Sequence, residues 1–532
     1  MTLARAGIVL VALALLLPYA GYLTDDSFIH FQFAKHLIRG EGFAFNVGDP
    51  TYGTTSPLWV LLLALTGALV PGAGATPDST STMPALAWIG KAWGALFTAL
   101  AVVWCGRIAR RLGWEPRTAL LVAALAAFHP WSARWAVSGM ETPLAFFLVL
   151  LSLDAAAATL IDGKPAWRVG AVLAAAALAR PEALLLAALT GGAVVLAFAG
   201  SGRDRARRAG SFAAGFAIPY GLWLAVAWVL FGQLLPNTSG AKAGAWLDLE
   251  RGVDALRDSL RILLASELMP LAALVAALAF GGPDRWARLS RGRRAFWAVV
   301  ALWPAALIVS FALTGVQVVS RYLVPATPAI LLLGAASLRP WSAAVSRGRL
   351  AVAAAVLFVS LHAAEGCLIT FRVSAPAARE HTAGLRASLG EIGRWARENT
   401  RPGTLFAVAD IGAFAFYADR PVLDLYGLVT PAMGAISVRD GYDRTVRELL
   451  FASVGHPDYL VDRAREEGRL TRQPEPDNPY RFLFARSIPN LGITRPGQWS
   501  YSVYAIDWAI WNRHHPILAR HEPDVERGRE RE

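Results

Sequence analysis

Two adjacent carboxylates, Asp25 and Asp26, stand where an apolar run ends, at the head of "TDDSFIHFQFAKHLIRGEGFAFN" (24–46). Two readings fit them. Aspartates there cap the N-terminus of the helix that follows. One carboxylate is enough for a cap, and two side by side repel, so a second role as base or ligand stands beside the first. Other polar residues interrupt apolar surroundings farther along: Tyr52, Glu141, Arg180, Glu182, Asn237, Lys242, Arg321 and Tyr322. Ionisable groups at membrane depth are costly and mark either a site or a paired structural network. What these residues can do depends on whether the elements carrying them bring them to one face.

The chain has 532 residues, 55% of them hydrophobic, and 17% charged, with apolar runs spaced along most of its length. Runs of about 17–25 apolar residues cross a bilayer. The fold class is therefore a polytopic α-helical membrane protein. The net charge of +12 does not form a nucleic-acid-binding stripe. Its basic residues gather in short connections (107–117, 163–168, 202–210, 284–294 and 339–349), the pattern of cytoplasmic loops. The first run, Ala6–Leu23, lacks a signal-peptidase site and reads as an uncleaved anchor preceded by Arg5, with the N-terminus cytoplasmic. Keeping 107–117 inside requires that 57–71, which is short, not cross; it reads as an interfacial or re-entrant helix. The remaining spans fall near 85–108, 118–136, 142–161, 166–180, 182–200, 211–231, 262–281, 295–314, 322–338 and 350–369. With the first they make about eleven, and the polar residues above then share the outer face.

This gives a membrane domain over 1–369 with a first outer loop at 24–84, an α+β extracytoplasmic domain over 370–515, and a charged tail over 516–532. In the α+β part a helix is expected near 380–399 and strands at "TLFAVAD" (404–410), "PDYLVD" (457–462) and "YSVYAID" (501–507). A helix starting at Asp26 places Gln32, Lys35, His36 and Arg39 on one narrow face and Phe33, Ala34, Leu37 and Ile38 on the other. That pattern predicts a helix lying on the outer membrane surface, ended by Gly40.

The stretch "TDDSFIHFQFAKHLIRGEGFAFNVGDPTYGTTSPLW" resembles the first outer loop of bacterial C-type (GT-C) glycosyltransferases. It is nearest to the family of mycobacterial terminal β-1,2-arabinofuranosyltransferases. "SGMETPL" (138–144), "ARPEALL" (179–185), "LLPNTSGAK" (234–242), "SRYLVPATP" (320–328) and "VADIGAFAFYADRPVLDLYGLVTP" (408–431) extend the resemblance over most of the chain. One departure is the run Ser239-Gly240-Ala241 before Lys242, where the family commonly carries aromatic residues. The resemblance implies a GT-C membrane bundle with juxtamembrane helices in the first outer loop, in the bacterial cytoplasmic membrane. It also implies an inverting transfer of a pentose or hexose from a polyprenyl-phosphate carrier to an envelope glycan, lipid or protein on the outer face.

Such a transfer needs a base for the acceptor hydroxyl and cations for the leaving phosphate. By the resemblance Asp25 is the base and Asp26 a second or orienting carboxylate; Arg321, Lys242 and Arg180 are candidates for the phosphate. Arginine holds phosphate through two parallel N–H groups, lysine as a point charge. Glu141 and Glu182 either grip sugar hydroxyls or pair with Arg180 and Arg321. Asp410 and Asp424 match a family segment and serve either as ligand contacts or as turn-forming aspartates. A protein O-mannosyltransferase-like or lipid-A-modifying activity competes within the superfamily. A lipid-linked-sugar flippase competes from outside it, although polar residues at outer ends fit it less well than midplane sites would.

No cofactor is required by this reading. Asp25 and Asp26 could hold a divalent cation, but two ligands are too few to predict one, and no His/Cys cluster has zinc spacing. His30 and His129 read as packed residues, and the 19 tryptophans as an aromatic belt. Cys105 and Cys367 fall near opposite faces, which leaves no disulfide expected between them.

Overall fold

The computed structural model describes residues 2–80, 82–198, 201–237, 248–280, 288–344, 349–472 and 477–514. Lys242 and the expected tail at 516–532 lie outside the described residues.

Every expected span coincides with a helix, including Ala85–Arg111, Thr142–Leu160, Ala166–Ala179, Ala183–Ala197 and Arg291–Thr314. Among the described residues six helices are long and apolar enough to cross a membrane, or seven if one bent pair counts as a span. With those helices the chain is a multi-pass membrane protein. Several other helices are shorter than the expectation. The span expected at 118–136 is broken into Pro116–Ala127 and Pro130–Ala136, because Pro130 removes an N–H and fits only at a new helix start. The basic stretch 202–210 is not a loop but the first turns of the long helix Gly202–Phe231. Leu249–Leu264 meets Leu268–Leu278 at a 99° bend.

The segment 57–71 forms the helix Pro57–Gly67, whose 11 residues span about 16 Å at 1.5 Å each, too short for a core of about 30 Å. It packs with Trp59, Val60 and Leu63 fully buried. The helix Asp25–Ile38 departs from its expected place. It is buried from Ser27 to His36 on all sides, rather than lying half exposed on a surface. Its polar residues have protein partners: Lys35 Nζ lies 2.9 Å and Arg39 Nη1 3.0 Å from Asp419. His36 Nδ1 lies 2.9 Å from the Ala44 carbonyl oxygen. The helix does end as expected, with Gly40 at φ +75°.

The last crossing continues without interruption: a single 47-residue helix runs from Ala353 to Asn399, through two π-helical turns at Ile369–Ser374 and Arg386–Gly390. Beyond it, five strands form one sheet in the order β4-β3-β5-β7-β6, following a short hairpin, Ala44–Asn46 (β1) with Asp49–Pro50 (β2). β3 (Phe406–Val408), β4 (Val422–Asp424) and β5 (Tyr459–Ala464) are parallel; β6 (Tyr480–Ile488) and β7 (Trp499–Ile506) complete it antiparallel. β3, β5 and β7 are the three strands expected; β4 and β6 were not foreseen. The helix Ile411–Ala418 connects β3 to β4 and packs on Asp25–Ile38, where Phe28 faces Phe416 and Tyr417 at ring distances of 5.4 and 5.6 Å. Each such buried ring contributes about 1.5–3 kcal/mol. One apolar cluster thus includes residues from both sides of position 370, and the two parts share a core.

Candidate functional site

A cavity of about 780 Å³ opens between the two parts, lined by Asp25, Asp26, Arg134, Arg321, Asp410 and Arg463 among others. It lies at the carboxyl ends of the parallel strands, where loops and helix N-termini leave room for a ligand. Its volume is in the range of about 300–1,000 Å³ that holds small molecules.

Asp25 does not cap its own helix. The N-cap there is Thr24, which makes no side-chain capping bond. The Asp25 carboxylate instead accepts hydrogen bonds from the backbone N–H of Gly412 (3.0 Å) and Ala413 (2.7 Å), at the start of Ile411–Ala418. The approach is so close that a Cβ on Gly412 would sit 2.0 Å from the Asp25 carbonyl oxygen, so only glycine fits. Burial pushes the Asp25 carboxyl up to about 7, helped by the nearby charges of Asp410 and Asp26; the two amide donors pull the other way. A carboxylate offers about four lone-pair sites, so two amides leave capacity for a hydroxyl proton.

Asp26 has a side chain 45% exposed and forms an ion pair with Arg321. The Arg321 guanidinium, raised well above its ordinary value by Asp26 against the effect of burial, keeps a buried Nε with no hydrogen-bond partner. Also on the lining, Asp410 accepts from Arg463 Nη1 at 2.7 and 2.9 Å and from the Tyr501 hydroxyl at 2.6 Å. Arg463 also donates to the Tyr426 hydroxyl at 2.6 Å.

Of the residues expected to touch substrate, Asp25, Asp26, Arg321, Tyr322 and Asp410 line this cavity. Glu141, Arg180 and Glu182 stand outside its lining and form a closed network. Arg180 meets Glu141 at 2.6 Å and Glu182 at 3.4 Å, while the other Glu141 oxygen lies 3.2 Å from His30 Nε2. Burial would raise the Glu141 carboxyl, but Arg180 and His30 hold it well below the usual carboxylate range. The pairing alternative for these glutamates is therefore present in the structure, with Arg180 rather than Arg321 as partner. His30, expected only to pack, belongs to it. Gly139, at φ +84°, lets the loop before Glu141 turn against Ser27 and Phe31.

Tyr52 and Asn237 are also away from the cavity lining. The Tyr52 hydroxyl accepts from Trp223 Nε1 at 2.7 Å, and Asn237 bonds the Tyr52 and Leu428 carbonyls at 3.0 Å each. They tie loops together. Asp424 is buried and its carboxylate accepts from the N–H groups of Tyr426 (2.9 Å) and Val429 (3.0 Å), which makes it a turn-forming aspartate. Among the described residues no group of three or more His, Cys, Asp or Glu is placed to hold a metal ion. The sequence did not single out Arg134, His381, Arg463 or Tyr501 as wall residues. Arg134 hides inside an apolar run, and nothing local distinguishes the others.

The geometry can be set beside known proteins. A family model described as a domain of unknown function (DUF8728) matches residues 377–516. No curated protein matches the chain. The crystal structure of ArnT from Cupriavidus metallidurans bound to undecaprenyl phosphate is similar at TM-score 0.55 and 14% identity, covering 94% of this chain and 97% of that one. Its apo state gives 0.53 and 14%, covering 93% and 97%. An Archaeoglobus fulgidus oligosaccharyltransferase, tethered with an acceptor peptide containing the NVT sequon, gives 0.53 and 13%, covering 86% and 69%. At these identities the likeness is one of fold alone: the chain shares the fold of those proteins, and the narrower arabinofuranosyltransferase resemblance is not part of what the fold shows.

Proposed function

We propose that this protein transfers a pentose or hexose from a polyprenyl-phosphate carrier to an envelope glycan, lipid or protein acceptor, with inversion. The observation that carries the reading is Asp25, a half-buried carboxylate raised to about 7, in one cavity with Arg321, on a fold shared with ArnT bound to undecaprenyl phosphate. Asp25 takes the proton of the acceptor hydroxyl as that oxygen attacks the anomeric carbon; a base is most effective with a pKa near the working pH. The polyprenyl phosphate leaves with the bonding electron pair and gains negative charge, which Arg321 stabilises more in the transition state than before it. Asp26 holds Arg321 in place until the phosphate arrives. Asp410, Arg463 and Tyr501, on the same cavity lining, are suited to an acceptor's hydroxyls.

The same reading places the protein in the bacterial cytoplasmic membrane with about eleven crossings, the N-terminus inside, and residues 370–515 outside. Cysteines at Val47 and Asp78, both exposed, would then react with an impermeant thiol reagent added to intact spheroplasts. Labelling at one but not the other would place a crossing between them. For the activity, the test is transfer by the purified protein from a panel of labelled polyprenyl-phosphate sugars to envelope acceptors. The expected outcome is release of polyprenyl phosphate with one sugar class and its loss in Asp25→Asn. Movement of intact lipid-linked sugar across a vesicle bilayer without bond cleavage would replace a transferase with a flippase.

A further inference from the structure

Of four buried or half-buried arginines on or near the cavity, three are matched against carboxylates and one is not. Arg180 has Glu141 and Glu182, Arg321 has Asp26, and Arg463 has Asp410. Arg134 is 4% exposed and lines the cavity, yet among the described residues no carboxylate lies within ion-pair distance of it. Its polar contacts are neutral and long: Nε and Nη2 donate to the Tyr22 hydroxyl at 3.3 and 3.0 Å, and Nη1 to the Ser374 hydroxyl at 3.4 Å. The guanidinium is packed beside the rings of Tyr22 and Trp135, 4.8 and 5.5 Å from their centres. An arginine packed beside aromatic rings presents its donor edge, here held only by neutral hydroxyls, to a planar or tetrahedral anion that can displace them. A buried cation with no counter-anion is costly, and the group that relieves the cost must come from outside the chain.

The Tyr22 backbone, two residues before the Thr24-Asp25 step, is itself fixed: the buried Lys91 ammonium donates to the carbonyls of Tyr22 (2.6 Å) and Val137. Arg134 is therefore held at a set place on the same wall as the carboxylate pair.

We propose that Arg134 is the ground-state binding residue for the anionic phosphate of a lipid-borne ligand, the phosphate oxygens taking over the guanidinium edge from the Tyr22 and Ser374 hydroxyls. This rests on the donor class proposed above and assigns it a residue that the sequence did not suggest. It also divides the labour. Arg321 already has an anion in Asp26, so it responds to the charge that develops during transfer. Arg134 has none, so it selects the ligand before any bond breaks.

The test measures binding of undecaprenyl phosphate, without sugar, to full-length protein in detergent, alongside the melting temperature of the ligand-free protein. Arg134→Gln is expected to bind about 10- to 100-fold more weakly, the scale of a lost charge-assisted contact. Its ligand-free melting temperature is expected to be equal to or above that of the wild type, because a buried unpaired charge has been removed. Unchanged affinity in Arg134→Gln overturns the proposal, and so does a fall in melting temperature with affinity per folded molecule intact. If Arg134→Gln does not fold, Arg134→Lys, which keeps the charge but not the fork, should bind with intermediate affinity; wild-type affinity there overturns the proposal. Inorganic phosphate is the control: binding as tight as that of the lipid would make this a free-anion site and overturn the lipid-borne assignment. Failure of the wild type to bind undecaprenyl phosphate would instead remove the donor class itself.

Discussion

Two clusters of charge meet at one tyrosine ring. Arg180 and Arg321 both place their guanidinium carbons 5.2 Å from the centre of Tyr322. To the rear, Glu141, Arg180, Glu182 and His30 are paired among themselves and shut from the cavity. To the front, Asp25, Asp26 and Arg321 face the cavity, with Asp26 the most open of them. The residue types are nearly the same. What separates a scaffold from a site here is access: the rear cluster, its arginine held by two glutamates, stands outside the cavity lining, while the front one keeps on that lining a raised carboxyl and a guanidinium with an unused nitrogen. A closed network contributes shape, and an open one can exchange a partner for a substrate.

The largest effect should come from breaking the rear cluster. Arg180→Ala leaves Glu141 buried opposite no arginine, a change that costs about 3–5 kcal/mol. Denaturant unfolding would show the loss, while donor affinity per folded molecule should survive. Full stability with abolished binding would move Arg180 into the site and erase the distinction.

Asp25→Asn tests the front cluster. Transfer should fall by ~10²-fold or more as the proton acceptor disappears. Folding should lose only about 1 kcal/mol, since the amide oxygen can still accept one of the two N–H groups. Near-normal turnover would reduce Asp25 to a clasp between the two parts.

The pH dependence sharpens the same contrast. Turnover should rise through about pH 7 as Asp25 loses its proton. Stability should move the opposite way. A carboxyl whose folded value is raised favours the folded state below its unfolded value, about 3.9. That contribution is lost as pH rises through about 7. Melting curves of wild type and Asp25→Asn should therefore differ in slope between about pH 4 and 7, the window those two values define. Parallel curves would mean that Asp25 is not raised.

A smaller effect is expected at Gly412, where a Cβ would strike the Asp25 carbonyl oxygen. Gly412→Ala should cost about 1–3 kcal/mol and slow transfer by shifting the base. Gly434→Ala, where a Cβ meets nothing within 4 Å, is the matched control and should leave transfer unchanged.

The parts legible in the sequence were those with local signals. Apolar length found the helices and the non-crossing Pro57–Gly67, and strand composition found β3, β5 and β7. The carboxylate pair, Arg321 and Tyr322 were legible because their types are unusual at span ends, and Asp410 because it falls in a segment that matches the family resemblance. Pairings were not, because they join residues remote in sequence. Asp419 lies 384 residues from Lys35, so the polar face of Asp25–Ile38 read as a wet face when it is an internal seam. Arg134 was invisible for a different reason: a single arginine inside an apolar run does not disturb the hydropathy of a span. β6 carries arginines at 481 and 486 on an edge strand, where charge masks the apolar alternation.

The clasp between Asp25 and the N–H of Ala413 joins groups 388 residues apart. A ribosome adds roughly 5–20 residues each second, so the aspartate exists for about 20–80 s before its partner has been made. Throughout that interval the bundle can be largely assembled, yet the carboxylate has neither its amide donors nor its neighbour Asp410. Catalytic competence is thus a late event in the life of the polypeptide. On the proposed reading, a nascent chain cut short before Tyr501 would leave a membrane bundle with an unfinished wall, unable to discharge carrier lipids prematurely.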